Sequence, residues 1–104
     1  MNRDDLLRRV KSKLLGAFGT RFHHAVLYGS EARGASRPDS DVDLLVLLEG
    51  PVDFGRDLQA ALSALYPLSL QISRRISAKP VDATEYETVE CPLYRTVHQD
   101  GVVV

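Results

Sequence analysis

Apolar residues recur at helical spacing in two long segments of the chain. Over residues 4–18 they return every three or four positions, and two aspartates stand at the start, where the helix dipole favours negative charge. Residues 53–72 repeat the pattern behind Asp53, a residue type that caps helices. Because Pro67 lacks an N–H donor, we predict that it kinks this helix or ends it near Tyr66. The recurring apolar residues of the first helix are Leu6, Leu7, Val10, Leu14, Leu15 and Phe18, and the predicted core stripe of the second helix is Phe54, Leu58, Ala61, Leu62, Leu65 and Ile72.

Three further segments predict strands. Residues 23–29 are nearly all apolar after two histidines, as expected of a buried central strand, and residues 42–48 form a second apolar run. Residues 75–81 predict a third strand, in which Pro80 indicates a sheet edge or a strand end. Together with the helices, these strands predict an α/β (α+β) fold with a small mixed sheet. The remaining predicted elements are short helices over residues 84–87 and 92–99 and an apolar tail over 102–104 that adds a short strand or docks on a partner.

Size and composition narrow the class of protein. The 104 residues predict a single domain over residues 1–104, and an apolar share of 44% excludes compositional disorder. The net charge of −1 argues against autonomous DNA binding through broad electrostatic attraction. A lone cysteine, Cys91, and a charged amino terminus fit the reducing cytoplasm, and no apolar run approaches the ~20 residues of a membrane span. We therefore expect a cytoplasmic protein without membrane contact, and its oligomeric state, including self-association, stays open.

Two short motifs between the first two strands carry the candidate chemistry. Gly29 follows the first strand and lets the backbone turn closely around a ligand, and Ser30 opens a predicted short helix over residues 31–33. Free N–H groups at a helix start and a hydroxyl suit a phosphate anion. Asp41 and Asp43 are one residue apart at the start of the second strand, so their side chains share a face and can converge on a hard cation such as Mg²⁺.

These motifs, G-S-E-A-R-G over residues 29–34 and S-D-V-D-L over residues 40–44, resemble the signature of the polymerase-beta-like nucleotidyltransferases. The chain is most similar to the minimal nucleotidyltransferases, small proteins typically encoded beside a HEPN-domain partner and often regarded as antitoxins. The sharp motif covers residues 29–44, and a weaker likeness in the order of elements covers nearly the whole chain.

The resemblance implies a reaction and a set of site residues. A hydroxyl of the acceptor attacks the α-phosphate of ATP or another nucleoside triphosphate, Mg²⁺ neutralises charge, and pyrophosphate leaves. Asp41 and Asp43 then match the catalytic metal ligands, and Gly29 and Ser30 match the phosphate-binding turn. Arg33 contacts phosphate or braces the loop. The implied acceptor is a HEPN-type toxin with an adenylylated tyrosine.

One feature departs from the family pattern. Active members add a third carboxylate from the next strand, which completes the metal site and helps to deprotonate the acceptor hydroxyl. In this chain Ser77 aligns with that position, whereas Asp82 substitutes for it only if the strand is shifted. Three functions therefore stay open: an active adenylyltransferase, an impaired relative that silences a HEPN partner by occlusion, and a subunit of a small-molecule nucleotidyltransferase.

Overall fold

The computed structural model describes residues 1–34, 37 and 39–104. The sequence also predicts a loop over residues 35–40, between the Gly-Ser turn and the second strand, and this segment lies partly outside the described residues. The predicted fold class, a small mixed sheet flanked by helices, is confirmed. In chain order, the elements in the described ranges are α1 (Arg3–Phe18), a 3-10 helix (Gly19–Arg21), β1 (Phe22–Tyr28), β2 (Val42–Leu48), α2 (Phe54–Ile72), β3 (Ile76–Asp82), α3 (Ala83–Thr88), α4 (Pro92–Asp100) and β4 (Val102–Val103).

The four strands form one sheet in the order β3-β2-β1-β4. Strands β1 and β2 are antiparallel, β2 and β3 are parallel through the crossover helix α2, and β4 adds antiparallel to β1. The edge position that Pro80 indicated for β3 is confirmed, as is the short strand predicted in the carboxyl-terminal tail.

The sheet buries side chains on both faces because alternating residues of β2 point in opposite directions. Val42, Leu44, Val46 and Leu48 join the core under α1 and α2. On the opposite face Leu45 and Leu47 pack into a second cluster with residues of α3 and α4. Asp43 lies on this second face by alternation, at the start of β2, where it is only half-buried.

Helix α2 differs from the prediction at its carboxyl-terminal end and along one face. It continues through Pro67 to Ile72, so the predicted end near Tyr66 is wrong, whereas the alternative of a kink at Pro67 stays a prediction. Leu65 and Leu68 are buried on either side of the proline, so packing holds the helix where the missing hydrogen bond would favour a break. In addition, the predicted core residues Phe54 and Leu62 are exposed, because the buried stripe of α2 consists of Asp57, Ala61, Leu65 and Leu68.

Candidate active site

The Gly-Ser motif forms a tight turn directly after β1. The N–H of Arg33 donates to the carbonyl of Gly29 over 3.3 Å, and the N–H of Gly34 donates to the carbonyl of Glu31 over 3.2 Å. The short helical turn predicted over residues 31–33 is a single hydrogen-bonded turn that does not extend into a helix. Gly29 and Gly34 have φ values of 75° and 71°, and these left-handed residues leave too few positions between them for a helix to propagate.

The fold brings this turn against Asp43, one member of the acidic pair. Tyr28 at the end of β1 is the register partner of Asp43 on β2, so the next residue, Gly29, passes over the aspartate. A Cβ atom built on Gly29 would lie 2.6 Å from Oδ2 of Asp43, closer than a real Cβ can approach. Glycine is thus favoured at position 29 by its left-handed backbone, and a side chain there would displace the Asp43 carboxylate. A phosphate bound at the turn would lie beside the Asp43 carboxylate.

Burial and charge act together on Asp43. Burial raises the pKa of its carboxyl above the ordinary aspartate value, and the neighbouring charge of Asp41 raises the pKa further. Burial also raises the pKa of the Tyr28 hydroxyl, with a smaller contribution from Asp43. Among the described residues, neither aspartate has an ion pair or a side-chain hydrogen bond that would stabilise its charge. A cation or another donor at this position would relieve the repulsion.

Arg74, which sequence reasoning missed, holds the segments of the site together. Its Nη2 atom lies 2.8 Å from a carboxylate oxygen of Glu31 in the turn, and both side chains are largely buried, at 14% and 11% exposed. Its Nε atom donates to the carbonyl of Ser40, just before the acidic pair, over 2.9 Å. One guanidinium therefore joins the turn, the start of β2 and the residues before β3. The sequence contains an acid inside the glycine motif, Glu31, and an arginine just before β3, Arg74. Only the fold shows that these two residues pair.

The register of β3 decides which residue stands at the third-carboxylate position. Ser77 is the parallel partner of Asp43, whereas Asp82 is the partner of Leu48, at the far end of the strand. The two positions are five residues apart along the strand, which corresponds to about 16 Å. Asp82 also accepts hydrogen bonds from the N–H groups of Thr84 and Glu85 as the cap of α3. The alternative in which Asp82 substitutes for the third carboxylate is therefore wrong.

The available side chains suit a Mg²⁺ site that substrate phosphates and water complete better than a metal site built from protein ligands alone. No cluster of three histidine, cysteine, aspartate or glutamate side chains that could hold a metal ion exists among the described residues. Mg²⁺ is usually held by one or two carboxylates and completes its shell with water and substrate phosphates. Asp41 and Asp43 meet that requirement, and Arg33 is exposed and free of side-chain partners in the described chain, as a phosphate ligand would be.

A comparison with protein-family models identifies the family. The model described as "Nucleotidyltransferase domain" matches residues 5–104. The chain belongs to the nucleotidyltransferase domain family. A search of curated proteins found no significant match.

Three solved structures share the nucleotidyltransferase fold with this chain. A toxin-antitoxin crystallised with AMP-PNP matches with a TM-score of 0.60 and 17% identity, covering 89% of this chain and 70% of the other. A mutant of the toxin-antitoxin MntA-HpeT matches with a TM-score of 0.63 and 15% identity, and the match covers 100% of this chain and 72% of the other. Spectinomycin adenyltransferase AAD(9) from Enterococcus faecialis, with ATP and spectinomycin, matches at 0.65 and 18%, covering 98% of this chain but only 48% of its own length.

The approach of the turn to Asp43 makes Gly29 a position where a substitution should affect both folding and the site. We expect Gly29→Ala to lower the free energy of unfolding by about 1–2 kcal/mol through its left-handed backbone, and to weaken ATP binding by displacing the Asp43 carboxylate. Gly34→Ala is the matched control, because its φ is similar but no described atom lies within 4 Å of an added Cβ. Thermal unfolding and ATP titration separate the two effects. Equal losses of ATP affinity in both variants would contradict the assignment of Gly29.

Proposed function

We propose that this protein is a Mg²⁺-dependent nucleotidyltransferase that transfers AMP from ATP to a hydroxyl of a partner protein. The observation that carries the proposal is the approach of Gly29 to Asp43, because a turn suited to phosphate then lies against one carboxylate of the acidic pair. Membership of the nucleotidyltransferase family and the adenyltransferase with ATP among its structural neighbours support nucleotidyl transfer.

Each site residue has a role in this proposal. The turn at Gly29 and Ser30 binds phosphate, and Arg33 supplies a positive charge for the triphosphate. Asp41 and Asp43 would hold Mg²⁺, which would neutralise the charge that develops during transfer. The acceptor oxygen bonds to the α-phosphorus while the bond to the bridging oxygen breaks, so that pyrophosphate leaves with the electron pair. Since Ser77 is no base near neutral pH, the acceptor proton passes to water or to a group of the partner.

The proposed partner is a HEPN-type toxin, with this protein as its antitoxin in the cytoplasm. Two of the structural neighbours are toxin-antitoxins, and the chain covers 70% and 72% of those neighbours. No helix in the described part of the chain is long and apolar enough to cross a membrane.

A second candidate function is favoured by the register of Ser77. With a serine beside Asp43, the strand that normally supplies a third carboxylate provides only a weak ligand. Such a protein can bind nucleotide and metal and silence its partner by occlusion without turnover.

Labelled ATP distinguishes the two functions. The protein, Mg²⁺ and the product of the neighbouring gene are incubated with ATP labelled on the α-phosphate, and the partner is tested for covalent label. Label that requires Mg²⁺ supports the enzyme. A stable complex that silences the partner without label supports the occluding protein, and the absence of both label and complex contradicts the proposed partner.

A further inference from the structure

An open groove of about 640 Å³ lies between α2 and the free edge of β3. Its lining extends from Phe54 and Tyr66 on α2 across β3 to Ser77 and Tyr28. Because Ser77 and Tyr28 are the lateral neighbours of Asp43 in the sheet, the groove opens directly onto the acidic face. Whatever occupies the groove therefore lies beside the proposed site of transfer.

The helical wall of the groove is a second apolar stripe on α2. Phe54, Leu58, Leu62 and Tyr66 are spaced four residues apart and line the groove, separate from the buried stripe of the same helix. Phe54, Leu62 and Tyr66 remain 53%, 39% and 62% exposed. Four apolar residues in line beside an open groove form a surface that a partner can cover.

The other wall is the unpaired side of β3. The N–H of Val42 donates to the carbonyl of Arg75 over 2.9 Å, so the backbone groups of Arg75 face β2. By alternation, the N–H and C=O groups of Ile76 and Ala78 face away from β2, toward the groove. Pro80 is the next residue on that side and lacks an N–H, which limits pairing to a short segment.

The side chains of β3 on the acidic face have a definite order of charge. Arg75, the residue directly before β3, continues the alternation of Ser77 and Lys79 on this face, and all three line the groove. Both cations are exposed, and within the described ranges neither forms an ion pair. A strand added beside β3 would place its own alternate residues next to these three, and acidic residues opposite the cations would be favoured.

We propose that the groove binds an extended segment of the acceptor protein as an added strand, with the order acidic, apolar, hydroxyl, apolar, acidic. The two apolar residues point to the α2 stripe, and the hydroxyl residue lies opposite Ser77 with the acidic residues opposite Arg75 and Lys79. Two strand spacings, about 10 Å, separate that position from Asp43, so a tyrosine bridges the gap to a bound phosphate whereas a serine does not. The acceptor role of this segment rests on the proposed function, but its binding does not.

A binding assay without catalysis tests the docking surface. The probe is a blocked, fluorescent peptide, Glu-Leu-Tyr-Leu-Glu, and the protein carries Asp41→Asn and Asp43→Asn, with Mg²⁺ and ATP omitted. We expect saturable binding that a Lys-Leu-Tyr-Leu-Lys peptide does not show. Methylation of both leucine amides should weaken binding at least about tenfold, because in an antiparallel pairing those N–H groups face β3. Failure of the acidic peptide to bind would overturn the docking surface while leaving the labelling result unaffected.

Two sets of variants locate the binding site. Arg75→Glu with Lys79→Glu should reverse the preference, so that the lysine-flanked peptide binds and the acidic peptide does not. Tyr66→Ser should weaken binding of the acidic peptide at least about fivefold, an effect of the size expected for losing a buried aromatic contact. Leu70→Ser is the matched control, because Leu70 is as exposed as Tyr66 on the same helix but does not line the groove.

Three results would refute the proposal, and two of them would identify another occupant. Equal losses in the Tyr66 and Leu70 variants would show that the groove is not the binding site. A Tyr66→Ser variant with weaker ATP affinity and unchanged peptide affinity would assign the groove to the nucleotide base. A wild-type dimer in sedimentation that Tyr66→Ser dissociates would assign it to a second copy of this chain.

Discussion

Replacing Asp41 and Asp43 together with asparagine should abolish the Mg²⁺-dependent stabilisation of the protein by ATP. In the wild type, ATP with Mg²⁺ should raise the melting temperature, because a ligand that binds only the folded state stabilises it by mass action. The double variant keeps the turn at Gly29 but loses both metal ligands, so the part of the rise that requires Mg²⁺ disappears. Any transfer activity should fall by about 10²–10³-fold or more, as when an electrostatic stabiliser is removed from a transition state.

The same substitutions should act in the opposite direction on the protein without ligands. Burial raises the pKa of Asp43 in the folded state, with a further contribution from Asp41. A raised folded-state pKa means that the folded state binds more protons than the unfolded state. The contribution of the protonated Asp43 carboxyl to stability is therefore present below the unfolded pKa. That contribution is lost as the pH rises through the folded pKa. At neutral pH without divalent cations, Asp43→Asn should therefore raise the free energy of unfolding.

Chemical unfolding of Asp43→Asn at neutral and acidic pH measures this effect. Asp39→Asn, an exposed aspartate in the segment before the acidic pair, is the control and should change neither the stability nor the response to Mg²⁺. An unchanged Mg²⁺-dependent rise in melting temperature in the double variant would show that the acidic pair does not bind metal.

Ser77→Asp should convert a slow or inactive protein into a faster nucleotidyltransferase. The substitution places a carboxylate beside Asp43, because residue 77 of β3 is the register partner of Asp43 in the sheet. A well-placed acid–base group contributes about 10²–10⁴-fold in rate, so labelling of the partner should increase clearly. A third acid also increases the repulsion at the site, so the variant should depend on Mg²⁺ for its stability more strongly than the wild type does.

Two companion variants separate charge from shape and position. Ser77→Asn is close in size to the aspartate variant but carries no charge, and it should not increase labelling. Asp82→Ala should leave labelling unchanged and cost about 0.5–2 kcal/mol of stability, because Asp82 caps α3 far from the acidic pair. If the wild type labels its partner robustly and Ser77→Ala does not reduce that activity, the missing base is supplied by the partner and not by β3.

The sequence by itself determined the order of elements and the local chemistry of this protein. Hydrophobic periodicity predicted α1, α2 and the main strands to within a few residues. A helix or strand that buries one face carries apolar residues at the spacing of that face, so the spacing indicates the element. The G-S-E-A-R-G and S-D-V-D-L motifs indicated the family because each consists of consecutive residues and can be recognised without knowing the fold. The expectation that the turn and the acidic pair form one site also arose there, and it remains part of the proposal.

The tertiary structure decided what depends on residues far apart in the chain. The position of Ser77 beside Asp43 follows from strand register, which a shift of one residue would change and which no local pattern specifies. The link from Arg74 to Glu31 joins residues 43 positions apart. The spacing on α2 likewise did not show that Phe54 and Leu62 face a groove instead of the core. Two apolar stripes on one helix have the same spacing in the sequence, and only the packing against the sheet determines which stripe is buried.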